Sequence, residues 1–192
     1  MGCTLTNGYS LSNCVASVGG VYTIYIAGHE KNIAFSNSTG GLVNGYDAAA
    51  LDISSELVGG LLTFKEFEQD IEIAGATESV TVDRATGTRF YEQSVNLTIH
   101  YGKDMVANDA TRTTMEELSK GNMLLIVKEN SGIHKMYGAE NGLRVTTGAG
   151  GTGTGFGDLN GITLTLTGKE SEASQIIDLG TAPAGNNVAF SL

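Results

Sequence analysis

The sequence contains no tryptophan, only one proline (Pro183) and no run of about 18 apolar residues. The missing apolar run excludes a membrane-spanning helix, so we expect no membrane partner. The first residues, Met1–Thr6, lack the basic residues and long apolar stretch of a secretory signal. We therefore predict a chain that is not exported by a signal of that kind.

Basic residues are scarce. The chain has 11 Lys and Arg against 21 Asp and Glu, a net charge of -10. Binding to nucleic acid depends on Lys and Arg neutralising phosphates, and no segment of this chain carries an excess of them. The composition excludes a nucleic-acid-binding face, although an acidic surface could act on DNA by repelling it.

The chain also lacks recognisable sequence patterns for metal binding or nucleophilic catalysis. Cys3 and Cys14 have no nearby His or Cys cluster, which argues against a zinc site. We predict a reduced cytoplasmic pair, with a disulfide that closes the short loop between them as the alternative. His29, His100 and His134 lie far apart in the sequence and lack metal-ligand spacing. No serine stands in a Gly-x-Ser-x-Gly motif. We predict no catalytic, cofactor or metal site.

A glycine-rich run, Gly148–Gly155, formally contains Gly-x-Gly-x-x-Gly. A dinucleotide site would need a helix immediately after that motif. Here the sequence continues as a loop through Asp158–Gly161 and then as a strand. The run is therefore predicted to be a flexible or subunit-contacting loop.

The chain is instead rich in glycine, with 27 residues, and in period-two alternation of apolar and polar residues. Alternation or a buried apolar run predicts strands at 21–27, 61–73, 78–82, 91–101, 123–127 and 162–167. A capping box, Thr113-x-x-Glu116, predicts one short helix at about 113–120. We expect a single domain, 1–192, of mainly β structure: a sandwich or barrel with one flanking helix and extended loops or arms. The last residues, 168–192, are predicted to form an extended arm.

One predicted strand carries acids on alternate positions, with a turn at Gly75–Ala76 and a returning strand after it. The four acids share one face and are Glu66, Glu68, Asp70 and Glu72. Adjacent like charges repel, which is tolerated where water surrounds them. The face is either an ordinary solvated surface or the wall of a water-filled channel.

In the order of its parts the chain resembles the tail tube proteins of long-tailed bacteriophages. The resemblance covers most of the chain and is carried by these segments: Val18–Tyr22, the acidic strand and hairpin at 64–90, Gly87–Glu92, the helix at 113–120, Met123–Val127 and Asp158–Gly168. It implies a non-enzymatic virion protein, assembled in the bacterial cytoplasm, that stacks as hexameric rings. The inner sheets of such rings join into a lumen barrel whose acids, here those at 66–72, keep passing DNA off the wall.

The resemblance implies other virion proteins as further partners and no cofactor. A neck ring or tail terminator is an alternative position in the virion. A carbohydrate-binding β-sandwich module is an alternative of another class, although the chain lacks the tryptophan that commonly stacks on sugars.

Overall fold

Alternating residues form two β-sheets in the structure, a computed structural model that describes residues 19–29, 46–47, 62–69, 74–100, 110–155, 158–178 and 188–191. In chain order the elements are β1 (Val21–Gly28), β2 (Tyr46–Asp47), β3 (Leu62–Glu68), β4 (Gly75–Asp83), β5 (Thr88–His100), α1 (Ala110–Lys120), β6 (Met123–Glu129), β7 (His134–Tyr137), β8 (Arg144–Gly151), β9 (Gly161–Glu170), β10 (Gln175–Asp178) and β11 (Val188–Ser191). The predicted mainly β fold is confirmed.

One sheet has seven strands, in the order β11-β3-β1-β6-β7-β10-β2, and the other has four, in the order β4-β5-β9-β8. All strand pairs are antiparallel except β10 with β2 and β11 with β3. The facing sides of the two sheets supply one apolar cluster, which includes Ile24, Leu125, Leu97 and Leu164. Burial of these side chains holds the sheets together as a sandwich.

The seven-stranded sheet is buried on its other side as well. Leu124 and Ile126 of β6 alternate with the core residues of that strand and have no exposed surface. Phe64 and Met136 lie on the same side and are at most 1% exposed. A strand buried on two sides shows a continuous apolar run, as Met123–Val127 does.

The single helix of the described residues, α1, is confirmed in type and position, but it begins before the predicted capping box. Thr113 lies inside Ala110–Lys120 and is therefore not the residue that caps it. The residues before Thr113 include alanine and arginine, which favour helix and lengthen it by nearly a turn. Leu118 is buried in the core and Met115 packs against it, so these two residues form the apolar face of the helix.

The predicted strand and turn at 61–76 differ from the structure. β3 ends at Glu68, and Gly75 and Ala76 belong to β4, which lies in the other sheet. β4 pairs with β5 through the turn at 84–87, where Gly87 has a φ of 72° that side chains disfavour. Alternation correctly indicated strands, but it contains no information about which strands pair.

The predicted C-terminal arm also differs in its described parts. Residues up to Glu170 complete β9. The strands β10 and β11 then join the seven-stranded sheet, with β11 at one edge and β10 next to the strand at the opposite edge. By pairing with existing strands, these short segments form hydrogen bonds with their backbone N–H and C=O groups. In a free arm, the same groups would hydrogen-bond with water instead.

Candidate functional site

The acidic strand places two of its four acids in the described structure. Glu66 is half-buried and Glu68 exposed, on the opposite face of β3 from Phe67, which packs against the core. The predicted alternation therefore holds over these three residues. Asp70 and Glu72 lie outside the described residues.

Glu66 and Glu68 point away from the four-stranded sheet, because their β1 partners lie on the side opposite core residue Ile24. Glu66 stands opposite Tyr25. Burial raises the pKa of the Tyr25 phenol, and the negative charges of Glu66 and Glu68 raise it further. The strand is thus a local negative surface on the seven-stranded sheet.

The four-stranded sheet ends in two long edge strands, and neither outer edge has a partner within the described chain. β4 has nine residues and β8 has eight. The seven-stranded sheet ends instead in strands of four and two residues. Short edge strands resist pairing with other chains, whereas long ones offer a row of unpaired N–H and C=O groups.

The residues of β4 and β8 do little to block such pairing. Neither strand contains proline or lysine. β8 has one charge, Arg144, and one irregularity, between Val145 and Thr147. All its other residues are exposed except Val145, which is half-buried.

The glycines predicted as a loop partly belong to β8. Gly148–Gly151 pair with β9, and a Cβ on Gly150 would lie 2.5 Å from Cγ1 of Ile162. The sequence interpretation took these glycines for a loop, but here they let core side chains lie close to the edge strand. The next element in the chain is the strand β9, as predicted.

The outer half of the β4–β5 hairpin extends past the core. Every residue from Thr77 to Arg89 is exposed, including Val80 at 55% and Val82 at 58%. The Arg89 guanidinium lies 5.8 Å from the ring centre of Tyr91, on the same face. The hairpin therefore carries an apolar face into solvent, a feature typical of surfaces that contact other molecules.

A polar clamp fixes the base of this hairpin to the seven-stranded sheet. The Gln93 side chain is 2% exposed. Its Oε1 accepts a hydrogen bond from the Gly138 N–H (2.9 Å), and its Nε2 donates to Glu78 (3.1 Å). Glu78 also accepts from the backbone N–H (2.7 Å) and hydroxyl (2.8 Å) of Ser174. This clamp was not predicted from the sequence, although Gln93, a polar residue on the apolar face of β5, was the signal for it.

A polar cavity of about 660 Å³ lies beside this clamp, lined among others by His29, Asn122, Arg144 and Gly168, the β9 partner of Gln93. Beneath it, Glu170 is 3% exposed and accepts hydrogen bonds from the backbone N–H groups of Glu140 and Asn141. Burial raises the pKa of the Glu170 carboxyl, whereas these N–H donors and the nearby His29 lower it. The groups largely satisfy one another, as in a structural junction between strands.

The three histidines do not come together. His29 follows β1, where its Nε2 lies 3.2 Å from the Ala139 carbonyl oxygen, while His100 ends β5 and His134 begins β7. Within the described ranges no group of three or more His, Cys, Asp or Glu could hold a metal ion. Cys3 and Cys14 lie outside those ranges.

Comparison with models of protein families, with curated proteins and with solved structures found no match. No helix in the described part of the chain is long and apolar enough to cross a membrane.

Proposed function

We propose that the protein is a virion structural subunit that assembles with copies of itself into rings, of six copies, or a tube. The observation that carries this proposal is the four-stranded sheet with a long, unblocked strand at each edge. Such edges expose hydrogen-bonding groups that another chain can pair with. The partners that follow are copies of this chain and other virion proteins, without a cofactor and without catalysis.

The strand directions suit a ring. Four antiparallel strands alternate in direction, so β8 runs opposite to β4. When copies are related by rotation, β8 of one copy meets β4 of the next as an antiparallel pair. The two surfaces differ, so the contact is head-to-tail and closes into a ring when the rotation divides a full turn.

Charge also favours this contact. β4 contains the acids Glu78 and Asp83 and no base, while β8 contains Arg144 and no acid. Two β4 strands placed together would repel, whereas β4 beside β8 brings opposite charges onto neighbouring strands. Contacts between identical edges are therefore disfavoured.

The lining of the proposed bore depends on which sheet faces it. An acidic lining by Glu66, Glu68, Asp70 and Glu72 requires the seven-stranded sheet to face inward at β3, where Glu68 is exposed, because the same side of that sheet is covered at Leu124, Ile126 and Met136. A bore lined by the four-stranded sheet would present hydroxyl and amide side chains, among them the exposed Thr77, Ser79 and Asn96 and the half-buried Ser94, Thr163 and Thr165. We propose the acidic lining, since repeated belts of negative charge repel phosphates within a Debye length of about 8 Å.

Blocking one edge tests the assembly. The double variant Thr147→Glu/Ala149→Glu adds negative charge to exposed positions of β8, which would face the acids of β4. It should raise the concentration needed for assembly at least tenfold, which corresponds to a loss of roughly 1.4 kcal/mol or more of contact free energy. Ser94→Glu, on the central strand β5, is the matched control and should assemble normally. Sedimentation velocity measures assembly, and thermal melting verifies that each monomer is folded. Normal assembly of the edge variant would contradict edge pairing.

Charge reversal tests the lining. Lysine at 66, 68, 70 and 72 should slow DNA ejection from assembled particles, most strongly at low salt, because lysine binds phosphate. Glutamine or asparagine at the same positions should have little effect. Lysine at Ser94 and Thr163 is the matched comparison. Slow ejection with that second set alone would place the four-stranded sheet at the bore instead.

The same surfaces suit a neck ring or a tail terminator, which also assemble from copies of one chain. A second candidate of another class, a carbohydrate-binding module, is favoured only by the polar cavity beside His29, Asn122 and Arg144. Calorimetric titration with oligosaccharides tests it, with Arg144→Ala as the variant that should abolish binding.

A further inference from the structure

The cavity beside the polar clamp contains an arginine whose charge is not matched by an acid. Nε of Arg144 donates a hydrogen bond to Oδ1 of Asn122, and both residues line the cavity. Within the described ranges, no carboxylate forms an ion pair with this guanidinium. Its terminal amino groups therefore remain as donors, in the planar arrangement that binds two oxygens of one carboxylate or phosphate group.

Hydrogen bonds on several sides hold Asn122, the residue that orients Arg144. Its Nδ2 donates to the carbonyl oxygen of Asn141 (2.7 Å), and its own carbonyl oxygen accepts the backbone N–H of His29 (2.8 Å). The carbonyl oxygen of Ala139 can only accept, so the His29 Nε2 at 3.2 Å donates to it. The guanidinium is thus positioned before any ligand binds, which lowers the entropy that binding costs.

Two glycines line the cavity and bring its walls together. A Cβ on Gly168 would lie 2.8 Å from the carbonyl oxygen of Gly142. A Cβ on Gly142, which has a φ of 74°, would lie 2.7 Å from the Cβ of Asn122. Contacts of the backbone, and not of mobile side chains, therefore fix the shape of the cavity around Arg144.

The other charged groups at the cavity leave Arg144 as the cation that a ligand can reach. Nζ of Lys169 lies 3.7 Å from the carboxylate of Glu92, which compensates its charge. Glu140 is the one acid among the described residues that line the cavity. Hydrogen bonds from the hydroxyl and the backbone N–H of Ser171 lower the pKa of the Glu140 carboxyl, so it is ionised at neutral pH and opposes an anion.

We propose that this cavity binds a small molecule through a carboxylate or phosphate group, held by the terminal amino groups of Arg144. Its volume of about 660 Å³ lies within the range of about 300–1,000 Å³ that is usual for small-molecule sites. The side chains of Asn141 and Thr167 line the same cavity and suit the polar remainder of such a molecule. A neutral sugar would leave the guanidinium without a counter-charge. The site is complete within one chain, so the inference does not depend on self-assembly.

Isothermal titration calorimetry with inorganic phosphate and with acetate, at low ionic strength, tests the site. We expect saturable binding of one anion per chain, weakened by about tenfold or more in Arg144→Gln. Arg89→Gln is the matched control and should bind normally, because Arg89 is also exposed but lies over Tyr91 on the hairpin. Thermal melting verifies that each variant is folded. The absence of saturable binding, or equal binding by Arg144→Gln, would overturn the proposal.

A second variant changes the affinity in the opposite direction. In Glu140→Gln the new side-chain oxygen can still accept the Ser171 N–H, but the negative charge is gone. Phosphate should then bind roughly two- to fivefold more tightly, as expected for exposed charges. Damage to the fold cannot produce tighter binding, so unchanged or weaker binding would show that the anion does not occupy this cavity. With the site established, the more tightly bound of phosphate and acetate identifies the group that the natural ligand carries.

Discussion

Replacing Gln93 by leucine tests the polar clamp at the base of the hairpin. Leucine has nearly the same size but cannot accept the hydrogen bond of the buried Gly138 N–H. A buried donor left without an acceptor costs about 1–3 kcal/mol, and the bond from Gln93 to Glu78 contributes about 1 kcal/mol more. The apolar leucine recovers part of this in the core. We expect Gln93→Leu to lower the free energy of unfolding by about 2–3 kcal/mol.

For a chain of this length such a loss lowers Tm by roughly 5–10 °C. Thermal unfolding followed by circular dichroism measures it, and Ser94→Ala, at the half-buried next residue on the opposite face of β5, is the control with an expected change near zero. A decrease in Tm below about 2 °C for Gln93→Leu would show that the clamp does not hold the two sheets together. The reasoning from unsatisfied buried groups would then be wrong at this position.

Two further predictions concern the β8–β9 hairpin. Gly150→Val should lower the free energy of unfolding by about 1–3 kcal/mol, because its Cβ would lie 2.5 Å from Ile162, whereas Ala149→Val on the exposed face should change it by less than about 0.5 kcal/mol in urea unfolding. The backbone N–H groups of Thr154 and Gly155 donate hydrogen bonds to the Asp158 carboxyl and lower its pKa in the folded protein. These hydrogen bonds therefore contribute fully to stability above the pKa of Asp158 in the unfolded chain. They are lost as the pH falls through its lower pKa in the folded protein. NMR shifts of those two amides should titrate with a midpoint below 3.8, and a midpoint at or above that value would contradict the geometry.

Much of the fold could be predicted from the sequence because side-chain alternation reports directly on burial. β5 and β9 alternate over their length, and their apolar sides form the core as expected. β1 and β6 were predicted from β-branched and apolar runs. Strand pairing could not be predicted in the same way, so β3 and β4 were joined in one hairpin although they lie in different sheets.

Glycine was the other source of error, because it permits turns and also close approach. At Gly87 it has the positive φ of a turn, and at Gly150 it makes room for a core isoleucine in an edge strand. In the sequence both positions are simply glycine, and only the packing of β9 against β8 distinguishes the close approach at Gly150 from the turn at Gly87. The candidate site was predicted in part: Glu66 and Glu68 share a face as expected, while the free edges required the strand order.

The central claim is that this chain assembles with itself, and electron microscopy of the purified protein tests it most directly. We expect negatively stained samples at high concentration to show rings or tubes built from one kind of subunit, with the same objects absent from the Thr147→Glu/Ala149→Glu variant. A protein that stays monomeric at high concentration, with no rings or tubes in the images, would contradict the account.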